Sequence, residues 1–279
     1  EIARRKPRLV HFMAPYTPFF VPAPFVVTIH DLIDMRFPQF GKQKVQPYYR
    51  LFVRSVLQRA HRVITPDVRT RNDLNDLLGV EPSRVSVVAL GVEENFGDDS
   101  SAHESTGRPY FLYAGNHRPH KALPDLFAAW QSATAASGVD LRLTGNDELG
   151  DAERYRRDDG RIVFLGNVSR QELARQYRGA RAYVQPSLLE GFGLPMLEAM
   201  WCGAPVIASK SSVPEVLRDH VFSFPAGDVR ALCVLLDRAL AAPEEMAQVG
   251  VAGQVAARAL TWERTARETA DVYRSVLAP

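Results

Sequence analysis

The sequence predicts an α/β protein built from two Rossmann-like domains, each with a parallel sheet. Short apolar strands alternate with amphipathic helices in both halves of the chain, which is the pattern of βαβ units. A length of 279 residues exceeds the usual size of one hydrophobic core. The stretch from Gly97 to Arg108, GDDSSAHESTGR, has no apolar period and is typical of a linker. We therefore expect a domain boundary near residue 105.

The composition is that of an ordinary globular protein, with 46% apolar and 24% charged residues, and it excludes fibrous, disordered and disulfide-scaffold classes. Cys202 and Cys233 have no CxxC spacing, so we expect neither a disulfide nor a structural zinc site. Two free cysteines are consistent with a reducing cytoplasm. No apolar run approaches the roughly 18 residues that span a bilayer, and no segment has the pattern of a signal peptide. A net charge of +2 gives no strong field, so nucleic acid is not expected as a partner.

The first half of the chain contains about four predicted strands. They are Leu9 to Phe12, Phe25 to Ile29, Arg62 to Thr65 and Val85 to Leu90. A helix is predicted from Pro47 to Ala60, where apolar side chains recur at helical spacing. Because Glu1 to Lys6 have the character of a helix end, we expect this domain to lack its opening βα units and to be incomplete.

The second half contains enough strands for a complete Rossmann-like domain. They are Tyr110 to Ala114, Leu141 to Thr144, Ile162 to Leu165, Ala182 to Gln185, Val206 to Ala208 and Val221 to Phe224. Ser169 and Glu172 form a capping box that predicts the start of a helix. Further helices are predicted from Asp228 to Ala241, from Pro243 onward, and from Trp262 to Leu277.

The most informative segment is QPSLLEGFGLPMLEAMWCGAP, in which Glu190 and Glu198 are separated by seven residues. Pro195 suits the first turn of a helix and Gly203 suits its end. Glu190 should therefore lie in a loop and Glu198 in the helix that follows. Backbone amides at this helix start form a natural anion site, and two carboxylates accept hydrogen bonds from hydroxyl groups. This combination fits a phosphorylated sugar. The alternative is that Glu190 caps the turn and Glu198 is a solvated helix residue.

This segment resembles the E-x7-E signature of the retaining glycosyltransferases of family 4, the glycosyl transferases group 1. The resemblance extends over nearly the whole chain. It includes VVTIHDL, VVALGVEENF, YAGNHRPHKALPDLFAAW, SSVPEV and the closing LTWERTARETADVYRSVL. It implies the GT-B fold, two Rossmann-like domains that face a cleft. Residues 1–105 would form a partial acceptor-side domain and residues 106–261 the nucleotide-sugar domain. Residues 262–279 would form a helix that crosses back to the first domain.

The resemblance also implies roles for particular residues. Glu190 would bind hydroxyls of the donor sugar, and Glu198 those of the ribose. The diphosphate would lie on the amides of Phe192, Gly193 and Leu194 and against the ammonium group of Lys121. His30 would reach the donor sugar near the reacting carbon.

Further donor contacts follow from the same resemblance. Gly115 opens the loop that leads to Lys121. Many relatives have arginine just before that lysine, whereas this chain has His120, with Arg118 two places earlier, and either residue could replace it. Asn167 and Val168 occupy the place where relatives hold the base.

The family mechanism implied here is front-face transfer with retention, in which the leaving diphosphate helps to take the acceptor's proton. No Asp-x-Asp motif occurs, so we expect no metal and no cofactor beyond a nucleotide-diphosphate sugar, either a GDP- or a UDP-sugar. The His-Asp-Leu and Pro-His-Lys segments favour a mannosyl donor.

The expected function is transfer of that sugar to a glycan, a lipid-linked acceptor or another glycoconjugate in polysaccharide biosynthesis. The mixture of basic and aromatic residues from Lys42 to Arg62 is compatible with an anionic membrane surface. We therefore expect a cytoplasmic protein, with peripheral membrane contact as one interpretation and a half-buried helix as the other. Two alternative functions are a sugar-nucleotide epimerase or phosphorylase of the same fold, and a truncated nucleotide-sugar binding module without turnover.

Overall fold

The computed structural model describes residues 6–18, 20–40, 45–93, 96, 108–133, 138–147, 149–155 and 162–278. The chain divides into two compact units, one formed by Glu1–Gly91 with Thr261–Pro279 and the other by Val92–Leu260. This division lies before the predicted linker, whose residues 97–107 are outside the described part, as are Lys42, Lys44 and the first five residues. None of the helices in the described ranges is long and apolar enough to cross a bilayer.

The first unit has a four-stranded parallel sheet in the order β1-β2-β3-β4. Its strands are β1 (Val10–Phe12), β2 (Phe25–Thr28), β3 (Arg62–Thr65) and β4 (Val85–Val87). Its helices are α1 (Ile33–Arg36), α2 (Val45–Tyr48), α3 (Arg54–Arg59), α4 (Val68–Leu78) and a final helix at Trp262–Leu277. The four strands confirm the sequence prediction. Three of them, β1, β2 and β4, are shorter than predicted, and β3 has the predicted ends.

The helix predicted between β2 and β3 contains a π-helical turn at Tyr49–Val53, which joins α2 to α3. Helix α4 is absent from the sequence prediction although its signals are present. The Asp67 side chain accepts a hydrogen bond from the Arg69 amide at 3.0 Å, and Gly79 ends the helix in the left-handed conformation with φ of 66°. Both features are ordinary marks of a helix start and end.

The second unit has a six-stranded parallel sheet in the order β10-β9-β8-β5-β6-β7. Its strands are β5 (Tyr110–Ala114), β6 (Asp140–Thr144), β7 (Ile162–Gly166), β8 (Ala182–Gln185), β9 (Val206–Ser209) and β10 (Phe222–Phe224). Its helices are α5 (Leu123–Ser132), α6 (Asp151–Tyr155), α7 (Arg170–Gly179), α8 (Leu194–Trp201), α9 (Val229–Ala241) and α10 (Pro243–Arg258). The final helix of the first unit, Trp262–Leu277, is labelled α11. All six predicted strands are present, and Ser169 caps α7 by accepting from the Glu172 amide at 3.2 Å.

Helices cover both faces of this second sheet, which explains why its central strands are mostly apolar. Every residue of β5 and β8 is buried, as expected for parallel strands enclosed on two sides. Helices α5 and α9 contribute to the main core on one face. On the other face Tyr177 of α7 packs edge-on against Tyr183 of β8, with ring centroids 5.7 Å apart. The carboxyl ends of the strands therefore form one edge at which the connecting loops meet.

Helix α11 belongs to the first unit even though it follows the second in sequence. Val272 of α11 lies in a buried cluster with Val26 of β2 and Ile64 of β3. The Thr265 hydroxyl donates to the Ala89 carbonyl at 2.7 Å. Gly91 allows a close approach at this point, because a Cβ there would lie 2.1 Å from the Thr261 carbonyl carbon.

Candidate functional site

Two loops meet at the carboxyl edge of the second sheet, one after β5 and one after β8, which are neighbouring strands. The first loop contains a 3-10 turn at Pro119–Lys121, and the second leads from β8 into α8. The Leu188 amide donates to the His120 carbonyl at 2.8 Å, which fixes the two loops to each other. This edge is where ligands bind in open parallel sheets.

The central contact of the site is an ion pair between Lys121 and Glu190. Lys121 Nζ donates to both carboxylate oxygens of Glu190, at 2.7 and 2.8 Å, and the Ser187 hydroxyl donates to Glu190 Oε1 at 2.6 Å. The two charged side chains are only 13% and 9% exposed. A carboxylate offers about four acceptor positions. Glu190 therefore retains the capacity to accept hydroxyl groups of a ligand while it is held by Lys121 and Ser187.

Glu198 lies within helix α8, as the sequence predicts, and follows Glu190 by eight positions. Burial raises its pKa to about 6, with opposing effects from Tyr177 and Arg170. The Tyr177 hydroxyl donates to Glu198 Oε2 at 3.4 Å. Glu190 and Glu198 thus have different partners, and burial favours the protonated form of Glu198.

The turn between the two carboxylates, where the sequence predicts an anion site, leads directly into α8. Gly193 adopts φ of 85°, and a Cβ there would lie 3.3 Å from Gln185 Nε2. The Met196 and Leu197 amides donate to the Gly193 carbonyl at 3.0 and 3.1 Å, so they begin the helical ladder. The amides of residues 192–194 precede that ladder at the positive end of the helix dipole. Glycine suits position 193 because its left-handed backbone conformation is unfavourable for residues with a side chain.

Buried hydroxyl and amide groups beneath the turn were not identified from the sequence. The Tyr183 hydroxyl donates to Gln185 Oε1 at 3.2 Å, and Gln185 Nε2 donates to the Ser212 carbonyl at 3.4 Å. The pKa of Tyr183 is raised well above its usual value by burial, with contributions from Tyr113, Glu190 and Glu198. The Tyr183 hydroxyl therefore stays protonated near neutral pH and acts as a hydrogen-bond donor. The signal for Tyr183 and Gln185 was their place in a strand that ends at the site.

The other predicted donor residues lie along the same sheet edge. Gly115 follows β5 with φ of 144°, and its amide donates to the Thr144 carbonyl at 3.4 Å. His120 is buried in the 3-10 turn, whereas Arg118 is exposed just before it. Asn167 and Val168 follow β7, two strands from β5 in the sheet order. Arg118 is therefore the more accessible of the two candidates for the missing arginine.

His30 belongs to the first unit and follows β2. It is exposed, and its carbonyl lies 3.5 Å from the Thr70 hydroxyl. Asp31 Oδ1 accepts from the Ile33 amide at 3.1 Å, which fixes the backbone after His30 at the start of α1. The carboxyl end of β2 therefore presents the imidazole to solvent.

Comparisons with known proteins agree with this geometry. Residues 1–96 match a family model described as Glycosyltransferase Family 4, and residues 108–242 match one described as Glycosyl transferases group 1. A D-inositol 3-phosphate glycosyltransferase from Frankia alni is 31% identical over 92% of this chain and 69% of its own length. The chain belongs to glycosyltransferase family 4. An O-antigen chain mannosyltransferase B from Escherichia coli is 27% identical over 89% of this chain and 70% of its own length.

Solved structures of similar fold support the assignment of this family 4 chain to the GT-B architecture. Sucrose-phosphate synthase from Thermosynechococcus elongatus superposes with a TM-score of 0.82 at 24% identity, over 99% of this chain and 75% of that one. HepE from Anabaena, solved in complex with UDP-glucose, superposes with a TM-score of 0.76 at 18% identity, over 91% and 72%. The chain spans about half the length of the D-inositol 3-phosphate glycosyltransferases from three Mycobacterium strains, 49% in each case.

Proposed function

We propose that this family 4 glycosyltransferase moves a mannosyl group from a GDP- or UDP-sugar to a hydroxyl of a glycan or lipid-linked acceptor, with retention of configuration. The observation that carries the proposal is the buried Lys121–Glu190 pair at the start of α8. It combines a cation suited to a diphosphate with a carboxylate suited to sugar hydroxyls. The Escherichia coli relative, whose name is O-antigen chain mannosyltransferase B, supports the choice of sugar.

In the proposed reaction the acceptor hydroxyl oxygen attacks the anomeric carbon on the face from which the diphosphate leaves. The bond from that carbon to the phosphate oxygen breaks, and the acceptor's proton passes to the leaving diphosphate. Lys121 and the amides of Phe192, Gly193 and Leu194 stabilise the negative charge that develops on the leaving group. Glu190 orients the sugar through its hydroxyls, and no carboxylate nucleophile takes part.

The remaining predicted residues complete the donor contacts in this proposal. Glu198 accepts hydrogen bonds from the ribose, and Asn167 and Val168 hold the base. Arg118 or His120 assists Lys121 at the diphosphate. His30 contacts the sugar near the reacting carbon.

Binding and turnover measured on the same protein test this function. We expect titration calorimetry to detect GDP or UDP binding, and donor consumption with an acceptor extract to yield a glycoside and the free nucleotide diphosphate. Lys121→Met and Glu190→Gln should abolish most transfer, whereas Lys210→Met, which changes an exposed lysine on another loop, should not. Release of free sugar phosphate or an epimerised nucleotide sugar would favour the epimerase or phosphorylase alternative. Nucleotide binding without any product would favour the binding module.

We further propose that the first unit contacts an anionic lipid surface, in keeping with a lipid-linked acceptor. Tyr48 lies between Tyr16 and Phe52, with ring centroids 6.0 and 5.7 Å apart, and Leu51 is next to them in the π-helical turn. Tyr16, Leu51 and Phe52 are 73%, 69% and 63% exposed. Arg50 and Arg54 on the same helical segment are also exposed. Exposed aromatic residues with adjacent arginines suit the interface of an anionic bilayer.

Vesicle flotation tests this contact. The protein should float with vesicles that contain phosphatidylglycerol and much less with pure phosphatidylcholine, and the double variant Leu51→Ser with Phe52→Ser should remain in the soluble fraction. A matched change of exposed valines in the second unit, Val251→Ser with Val255→Ser, serves as control. Equal flotation of the two double variants would contradict the proposal.

A further inference from the structure

A second cluster of polar side chains lies at the carboxyl ends of β5 and β6, and no step of the proposed reaction uses it. It consists of His117, Asp147 and Asp151, whose ligand atoms all lie within 4.8 Å of one another. His117 follows β5, Asp147 follows β6, and Asp151 begins α6. The cluster therefore joins two neighbouring loops of the second unit.

Two of the three residues are buried, and the two carboxylates of the cluster face one imidazole. His117 and Asp151 are 1% and 3% exposed. His117 Nδ1 lies 3.1 Å from Asp147 Oδ1 and 3.5 Å from Asp151 Oδ2. Asp151 Oδ2 has no hydrogen-bond partner within the described residues. Two carboxylates therefore share one imidazole in a region where an unpaired charge is costly.

The spacing of these atoms matches that of ligands around one metal ion. Zinc binds nitrogen and oxygen ligands at about 2.0–2.2 Å, which separates tetrahedral ligand atoms by about 3.3–3.6 Å. From His117 Nδ1 the separations are 3.1 Å to Asp147 Oδ1, slightly shorter than this range, and 3.5 Å to Asp151 Oδ2, within it, and all three ligand atoms lie within 4.8 Å of one another. One imidazole nitrogen and two carboxylates would neutralise a divalent ion and leave a further coordination position for water.

Surrounding contacts hold the ligands in place without occupying that position. The amides of Asp151 and Ala152 each donate to a different oxygen of Asp147, both at 2.8 Å. The rings of Tyr113 and Phe164 flank His117, with centroid distances of 5.9 and 6.1 Å. Ordered outer contacts of this kind orient metal ligands. The Asp147 side chain is 24% exposed and gives the ion a route from solvent.

In contrast to the sequence-based expectation of no metal and no structural zinc site, we propose that His117, Asp147 and Asp151 bind one divalent ion of the zinc class, which ties the loop after β5 to the loop after β6. The loops already approach closely, since a Cβ on Gly145 would lie 1.9 Å from the Gly115 carbonyl oxygen. The His117 amide also donates to the Asn146 carbonyl at 3.1 Å. The ion stabilises the loop that leads to Lys121 and takes no part in the transfer step, so this inference does not rest on the proposed function.

Metal content and thermal stability of the untagged full chain test the site. The protein is stripped with a chelator, equilibrated with Zn²⁺, and passed through a desalting column before elemental analysis. We expect one Zn²⁺ per chain and a rise in Tm of roughly 5 °C at saturating metal, because a ligand that binds only the folded state stabilises it. Co²⁺ in place of Zn²⁺ should give visible absorption bands typical of four-coordinate cobalt.

Three variants separate a metal site from a simple hydrogen-bonded cluster. Asp151→Asn and His117→Gln should each lose the bound Zn²⁺ and the rise in Tm, whereas Asp219→Asn, an exposed control, should keep both. Asp151→Asn should also melt at or above the metal-free wild type, because the buried Asp151 Oδ2 has no hydrogen-bond partner within the described residues and a buried charge without a partner is costly. Circular dichroism and nucleotide binding establish that each variant is folded. The proposal is wrong if the wild type retains no stoichiometric zinc or if Asp151→Asn binds it equally well.

Discussion

Loss of Lys121 should destabilise the second unit as well as impair transfer, and a double-mutant cycle with Glu190 separates the two effects. Lys121→Met leaves the Glu190 carboxylate buried, with the Ser187 hydroxyl as its remaining hydrogen-bond partner among the described residues. Removing one member of a buried ion pair costs about 3–5 kcal/mol. The Ser187 hydroxyl still donates to Glu190, and the side chains of Lys121 and Glu190 are 13% and 9% exposed rather than fully buried. We therefore expect a loss in the free energy of unfolding at the lower end of this range, about 3 kcal/mol. At about 2–4 °C per kcal/mol, Tm should fall by roughly 6–12 °C.

The double variant Lys121→Met with Glu190→Gln removes both charges and should recover much of that loss. We expect a coupling free energy of about 2 kcal/mol from denaturant unfolding of the four proteins in the cycle. Transfer should not recover, since Lys121→Met removes stabilisation of the leaving diphosphate and lowers kcat by about 10²-fold or more in either background. Lys210→Met should change stability by less than about 0.5 kcal/mol.

Three results would each refute a part of this reasoning. A Lys121→Met protein with the same Tm as the wild type would show that the ion pair contributes nothing to the stability of the folded state. Additive effects in the cycle would show that the two side chains do not interact in solution. Near-normal kcat in Lys121→Met would remove that residue from the mechanism even if the stability result holds.

Other predictions concern the remaining parts of the site. Burial raises the pKa of Glu198 from 4.5 to about 6. The contribution of this group to the free energy of unfolding should therefore be greatest below pH 4.5 and fall by about 2 kcal/mol as the pH rises through 6. Thermal melts of Glu198→Gln at several pH values should lack this fall, and a pH dependence equal to that of the wild type would contradict the prediction. Glu198→Ala should weaken nucleotide binding in calorimetry, whereas Glu190→Ala should mainly lower kcat; equal small losses would favour structural roles for both. Gly193→Ala should cost about 1–2 kcal/mol in unfolding experiments and weaken binding of the nucleotide diphosphate, because φ is 85° there; unchanged binding would remove the turn from the anion site. EDTA in the assay should leave transfer unchanged below the melting transition, and a loss restored by Mn²⁺ would contradict a metal-free transfer step.

The amino-acid sequence by itself determined the order of strands and helices in most of the described chain. Buried parallel strands are mostly apolar, and helices have strong start and end signals, so β3, β5 and β8 were predicted with their observed ends. Spacing around Pro195 and Gly203 also placed Glu190 in a loop and Glu198 in a helix. These features depend on local interactions, which a pattern of nearby residues records directly.

Contacts between distant segments were decided only by the tertiary structure. Lys121 and Glu190 are 69 positions apart and meet because β5 and β8 are neighbours in the sheet, an order that local patterns do not encode. The partner of Glu198, Tyr177, and the joining of His117 to Asp147 and Asp151 arise in the same way. Residues at the carboxyl ends of strands acquire their partners, burial and pKa values from the sheet order. The sequence therefore identified the carboxylates and the lysine, whereas folding determined which charges are paired.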